Sequence, residues 1–214
     1  MKLFLDTADI EEIRQAADLG VIDGVTTNPT LIAKEKKDFK SVIRKICEII
    51  DGPVSAEVTS TTSQEMVDEA YTLSKIHENV VIKIPLTKDG LVAASKLAEK
   101  EVPVNMTLIF SPNQALLACK AGARYVSPFV GRLDDIGHDG VLIASQCQDI
   151  INTYDFDAEV IAASIRHPMH VFHCAQEGVD IATVPFKVLM QMMKHPLTDN
   201  GLEQFMRDWK SAQS

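Results

Sequence analysis

Short β-rich runs alternate with longer amphipathic stretches from one end of this 214-residue chain to the other. That alternation limits its fold more than any other feature, because it is the pattern of repeated βαβ units around a parallel sheet. The strand-like runs are residues 2–6, 24–28, 54–58, 80–84, 103–110, 124–130, 159–166 and 180–185. Between them, residues 10–18, 38–50, 63–75, 88–100, 113–120, 140–152 and 168–176 place apolar side chains three or four apart, as helices packed on a sheet do. Gly20, Gly122 and Gly178 stand where a helix must stop before the next strand. Eight strands and no linker of biased composition predict one domain over residues 1–214, an α/β closed (β/α)₈ barrel. A last helix over 199–214 follows the break at Pro196, and a doubly wound open sheet is the alternative.

Hydrophobic residues make up 46% of the chain and charged ones 24%, enough apolar surface for one large core without staples. The net charge of −9 gives a long-range field of the wrong sign for nucleic acid or anionic membranes, so neither is expected as a partner. No apolar leader follows Met1 and no eighteen apolar residues run together, so the expected location is cytoplasmic. Cys47, Cys119, Cys147 and Cys174 are too far apart for a metal cage or redox pair, and read as reduced thiols. Asn105-Met106-Thr107 matches a glycosylation sequon by chance, inside an apolar strand.

Parallel strands covered on both faces read as nearly unbroken apolar runs, so polar residues inside them need a reason. Here they fall late in their strands: Asp6, Thr26, Asn28, Glu57, Lys83, Asn105, Thr107, Ser127, Ser164 and Arg166. In barrels that end carries the functional loops. Pairs two apart, such as Thr26/Asn28, Asn105/Thr107, Ser127/Phe129 and Ser164/Arg166, should share a face, leaving Val104, Met106, Leu108 and Ile165 toward the helices.

Structural readings compete with functional ones. Asp6 could cap a helix, residues 26–28 could be turn chemistry before Pro29, and Glu57 with Lys83 could be a plain buried ion pair. None of these accounts for the whole set. Lys83 in the apolar run Val80-Val81-Ile82-Lys83-Ile84-Pro85 is placed to act as a neutral amine, because desolvation disfavours its ammonium. A free amine attacks a ketone, and the iminium formed draws electrons from the neighbouring carbon–carbon bond. Asp6 and Glu57 could move protons, and Arg132 with Arg166 could hold an anionic group. His167, His170 and His173 read as a helix surface, without the carboxylate spacing of a metal site. Asp134, Asp135 and His138 read as loop salt bridging with Arg132.

The segments Phe4-Leu5-Asp6-Thr7-Ala8, Gly24-Val25-Thr26-Thr27-Asn28-Pro29, residues 80–85, Ser127-Pro128-Phe129-Val130-Gly131-Arg132-Leu133-Asp134-Asp135 and Ala162-Ala163-Ser164-Ile165-Arg166 occur in that order. Together they closely resemble the short transaldolases, a family that includes the fructose 6-phosphate aldolases. The resemblance runs through Lys194-His195-Pro196-Leu197-Thr198-Asp199 and the last helix.

It implies Lys83 as the Schiff-base lysine, Asp6 as the base at the C4 hydroxyl, and Glu57 as an acid/base acting through a water that Thr107 helps hold. It further implies Asn28, Asn105 and Ser127 against a three-carbon unit, Phe129 beside them, and Arg132, Ser164 and Arg166 around a phosphate. The implied activity moves a dihydroxyacetone unit from sedoheptulose 7-phosphate or fructose 6-phosphate to glyceraldehyde 3-phosphate or erythrose 4-phosphate, in the pentose phosphate pathway. No cofactor or metal is implied, and the partners are sugar phosphates and further copies of the chain in a homo-oligomer joined partly through 199–214. Glu57 and Phe129 stand where the resemblance assigns Gln and Tyr to the aldolase branch, which makes fructose 6-phosphate aldolase the alternative. A barrel that only binds sugar phosphates is the second alternative, and it would not need Asp6, Glu57 and Lys83 together.

Overall fold

A computed structural model of the chain describes residues 1–35 and 38–213. The first quarter comprises β1 (Lys2–Asp6), α1 (Ile10–Asp18), β2 (Gly24–Thr26), α2 (Pro29–Glu35) and α3 (Phe39–Ile49). Next come β3 (Val54–Glu57), α4 (Ser63–Ser74), β4 (Val80–Pro85), α5 (Lys88–Ala98), β5 (Val104–Ile109) and α6 (Pro112–Lys120). The remainder is β6 (Tyr125–Pro128), α7 (Val130–Asp134), α8 (Gly140–Tyr154), β7 (Glu159–Ala162), α9 (Pro168–Gln176), β8 (Ile181–Val184), α10 (Phe186–Met192) and α11 (Pro196–Ala212). The strands close in sequence order, β1 to β8 and back to β1, every pair parallel. The fold is a (β/α)₈ barrel with an additional C-terminal helix.

A strand's period of two divides each strand between two cores. Leu5, Val25, Ala56, Ile82, Val104 and Val126 face outward and join the apolar layer beneath the helices. Inside, Phe4, Val81, Tyr125, Ile161 and Ile181 form a separate plug toward the strands' N-terminal ends. Gly24 lies opposite Phe4, and a Cβ there would sit 2.8 Å from that ring, so the plug closes only because β2 offers no side chain at this level. With the lower barrel filled, Asp6, Lys83, Ser127 and Thr183, two positions beyond Phe4, Val81, Tyr125 and Ile181, line the upper mouth, with Ala163 in the matching place after Ile161.

Side chains of Asp9, Thr62, Thr87, Ser111 and Asp139 cap α1, α4, α5, α6 and α8 by accepting main-chain N–H groups of the first turn. Gly20, Gly122 and Gly178 adopt φ of 67°, 82° and 72° after α1, α6 and α9, the left-handed conformation expected of them.

Six strands stop before the ends of their apolar runs. β2 ends at Thr26, β3 at Glu57, β5 at Ile109, β6 at Pro128, β7 at Ala162 and β8 at Val184; the run through Val130 enters α7, and the others end in the connection before the next helix. The helices α2, α7 and α10 span only five to seven residues, too short for a 3.6-residue period to stand out from a strand. Leu108 departs from its expected place under the helices. The β5–β6 register shifts between Met106 and Ile109 and Leu108 takes φ 58°, so a bulge turns it to the mouth while Ile109 is buried in its stead.

α11 begins at Pro196, three residues before the expected 199, with the His195 ring accepting the Leu197 N–H, and Ser214 lies outside the described residues. None of the described α11 residues is buried. Among the described residues no helix is long and apolar enough to cross a membrane.

Candidate active site

The upper mouth is organised around Lys83. Its register neighbours are Glu57 on β3 and Asn105 on β5, so barrel closure puts all three at one level. Lys83 is 6% exposed, with Nζ 3.0 Å from Glu57 Oε2 and donating to the Thr27 carbonyl at 3.1 Å. An ammonium desolvated this far needs such partners, and the carboxylate in contact with it can also accept its proton.

Asp6, across the barrel on β1, accepts from Thr26 Oγ1 at 2.9 Å, and Thr26 Oγ1 lies 2.6 Å from Thr183 Oγ1. A hydroxyl has one proton. Since Thr26 gives its own to the carboxylate, Thr183 must donate to Thr26, and both dipoles point at Asp6. Burial nevertheless pushes the Asp6 carboxyl above the ordinary aspartate range, with the Lys83 charge and the Thr26 hydrogen bond opposing it. An acid so placed is poised for proton transfer.

A second chain crosses the barrel beside Lys83. Ser127 Oγ donates to Asn105 Oδ1 at 2.7 Å, and Asn105 Nδ2 donates to Ser55 Oγ at 3.1 Å, with all three residues at most 2% exposed. Thr107, two residues beyond Asn105, is buried and its Oγ1 has no hydrogen-bond partner. Buried hydroxyls are seldom left so, and a water or ligand atom in the adjoining recess would satisfy it.

The cavity above, of about 240 Å³, is lined by Asp6, Thr26, Asn28, Lys83, Ser127, Phe129, Arg132, Ser164, Arg166 and Thr183. An adjoining recess shares Asn28, Lys83, Phe129 and Arg132 and adds Glu57, Thr107 and Leu108. Every residue expected at the site lines one of the two except Asn105, which lies beneath them. Asn28 has both roles weighed for it, since its Oδ1 accepts the Leu31 N–H at the start of α2 while the residue lines the cavity. The Arg132 guanidinium stacks on Phe129, 5.0 Å from the ring centroid, and Phe129 packs against Phe110 at 5.6 Å. Ser164 holds a left-handed φ of 60° at the turn out of β7, and the half-exposed Arg166 pairs with Asp135 at 2.8 Å.

Two expectations need correction. Asp134 and Asp135 do not bridge to Arg132: Asp134 Oδ2 lies 2.7 Å from His170 Nε2, and Asp135 holds Arg166. His167 and His173 are exposed, but His170 is buried at 4% exposure, its ring held between Asp134 of α7 and the Arg166 N–H. Among the described residues no group of three or more His, Cys, Asp or Glu side chains is arranged to hold a metal ion. Ser55 and Thr183, not singled out in the sequence, belong to the polar layer, and Ser55 could have been found from its spacing of two before Glu57.

A buried amine against one carboxylate, a second carboxylate held by hydroxyls, and two guanidinium groups at the rim can form an imine with a carbonyl compound that carries an anionic end. The model of the Transaldolase/Fructose-6-phosphate aldolase family matches residues 3–214. A probable transaldolase of Caldicellulosiruptor saccharolyticus is 60% identical over 213 residues, covering 99% of this chain and 98% of its own. One of Thermoanaerobacter sp. (strain X514) is 59% identical over 212 residues, with 99% and 98% covered. One of Moorella thermoacetica is 56% identical over 214 residues, with both chains covered in full. With matches of this extent, the chain belongs to the transaldolase/fructose-6-phosphate aldolase family.

Proposed function

We propose that this protein is a transaldolase that carries a dihydroxyacetone unit from a ketose phosphate to an aldose phosphate on Lys83. The observation that carries the reading is the setting of Lys83: buried, 3.0 Å from Glu57, and facing a cavity that also holds Asp6 and ends at Arg132 and Arg166. Glu57 takes a proton from Nζ, and the free amine attacks the C2 carbonyl of sedoheptulose 7-phosphate or fructose 6-phosphate. The carbinolamine loses water to give the iminium, with Glu57 moving protons through a water on the unpartnered Thr107 Oγ1. Asp6 then takes the C4 hydroxyl proton. The C4 oxygen becomes the carbonyl of a departing aldose phosphate, and the C3–C4 bonding pair forms an enamine on Lys83. C3 of that enamine attacks the aldehyde carbon of the acceptor, Asp6 returns the proton, and hydrolysis of the new iminium releases the product.

Asn28, Asn105 and Ser127 orient the three-carbon unit, and Arg132, Ser164 and Arg166 bind the phosphate. On this reading the step belongs to the pentose phosphate pathway, in the cytoplasm. α11 joins copies into a homo-oligomer, a reading supported by its exposed Leu202, Phe205, Met206 and Trp209. Borohydride reduction with fructose 6-phosphate should add the ketose or its three-carbon fragment at Lys83, read by mass spectrometry, and Lys83→Ala should abolish it. Coupled assays with and without erythrose 4-phosphate separate transfer from release. Cleavage that proceeds without the acceptor, with no transfer when it is added, would replace the transaldolase reading by fructose 6-phosphate aldolase, and trapping at another lysine would remove both.

A further inference from the structure

The two guanidinium groups at the cavity rim come from different elements, Arg132 from α7 and Arg166 from the loop between β7 and α9. Their spacing depends on how these two pieces are tied. The Val130 N–H donates to the Ala163 carbonyl at 2.9 Å and the Gly131 N–H to the Ser164 carbonyl at 3.1 Å. The approach is so close that a Cβ on Gly131 would fall 2.1 Å from the Ser164 carbonyl oxygen. Further along, the tie passes through a side chain. His170 Nδ1 accepts the Arg166 N–H at 3.3 Å, and Nε2 lies 2.7 Å from Asp134 Oδ2.

A neutral imidazole donates from one nitrogen and accepts at the other. With Nδ1 accepting from Arg166, the proton is on Nε2 and is donated to Asp134. The carboxylate is itself fixed, because Asp134 Oδ1 accepts the Gly140 N–H at 2.9 Å. Burial holds the His170 ring below the ordinary histidine range, and the neighbouring His167 and Arg166 charges act in the same direction against the pull of Asp134.

We propose that His170 is a positioning residue for the anion-binding rim: by linking Asp134 of α7 to the main chain of Arg166, it sets the separation of Arg132 and Arg166 and so the affinity for a phosphate group. The inference rests on the reading of Arg132, Ser164 and Arg166 as the phosphate site. His170 itself lines neither the cavity nor its adjoining recess, and it acts only through the groups it joins.

The test uses the full chain and inorganic phosphate at about pH 8, where phosphate is doubly charged. His170→Phe removes both bonds at similar volume. His170→Asn keeps an acceptor near the Nδ1 position, and His170→Gln keeps a donor near the Nε2 position. Calorimetry should show phosphate binding weakened about fivefold in His170→Phe, the effect of losing about one net hydrogen bond's worth of order at the rim, with Asn and Gln in between. KM for fructose 6-phosphate should rise by a similar factor while kcat falls less. Phosphate affinity equal to wild type in His170→Phe overturns the proposal, as does a fall in kcat alone.

Should that variant not fold, Asp134→Ala cuts the same tie from its half-exposed end, and it too must weaken phosphate binding or the proposal is overturned. Phosphate binding that depends on His170 in a protein whose Lys83 cannot be trapped by borohydride would support the positioning role and remove only the Schiff-base reading.

Discussion

Ser127→Ala tests whether the hydrogen-bond chain beside Lys83 is what orients Asn105. Ser127 is 2% exposed and Asn105 fully buried, and the 2.7 Å bond from the hydroxyl is the one partner among the described residues for Asn105 Oδ1. Alanine removes the donor and leaves that oxygen desolvated, at a cost of about 1–3 kcal/mol. For a chain of this length each kcal/mol lowers Tm by about 2–4 °C, so Tm should fall by about 2–12 °C. The measurement is denaturant and thermal unfolding of Ser127→Ala, Asn105→Ala and the double variant. The hydroxyl is of no further use once the amide is gone, so the double variant should be more stable than the sum of the single losses by about 1 kcal/mol. Because Asn105 is in register with Lys83, kcat/KM should fall with the lost order. A Ser127→Ala protein as stable as wild type, or strict additivity in the cycle, would falsify the claim that this bond holds the amide.

Three further outcomes follow from the same geometry. Phe129→Tyr adds a hydroxyl beside Lys83 able to organise water, so release of free dihydroxyacetone from fructose 6-phosphate should rise relative to transfer to erythrose 4-phosphate; an unchanged ratio in one preparation leaves the distinction from the aldolase to Glu57. Arg166→Ala should mainly raise KM for phosphorylated substrates and Asp6→Ala mainly lower kcat, and the reverse pattern means the two roles are misassigned. Asp6→Asn should be more stable than wild type at neutral pH. Folding raises the Asp6 carboxyl from its ordinary 3.8, so in wild type stability is present below that value and is lost as pH rises through the folded-state value. The advantage of the amide should therefore shrink toward acid pH, and a constant difference in urea midpoints across the pH range would refute the burial argument.

The arrangement of the chain into eight βα units was legible in its residues because both faces of a parallel strand are covered, which forces apolar runs separated by amphipathic ones. For the same reason Asp6, Glu57, Lys83, Asn105 and Thr107 stood out, since a polar side chain late in such a run is costly without a partner or a use. What local pattern could not show was where a run stops being strand. Residues 129–130 and 163–166 read as the ends of strands, yet Val130 already opens α7 and Ser164 takes a left-handed turn.

The bulge that turns Leu108 to the mouth is equally invisible, because period two holds only while the ladder is regular. Partnerships across the barrel depend on closure and register between strands far apart in sequence. Thr183 meeting Thr26, or Lys83 meeting Glu57, is fixed only when β8 joins β1 and β3 pairs with β4. The sequence by itself determined which residue types reach the mouth, since side-chain direction along a strand is a local property. Only the tertiary structure decided that Asp134 and Asp135 hold His170 and Arg166 in place of Arg132, because those pairs form between elements that the closed barrel, and nothing nearer in the chain, brings into contact.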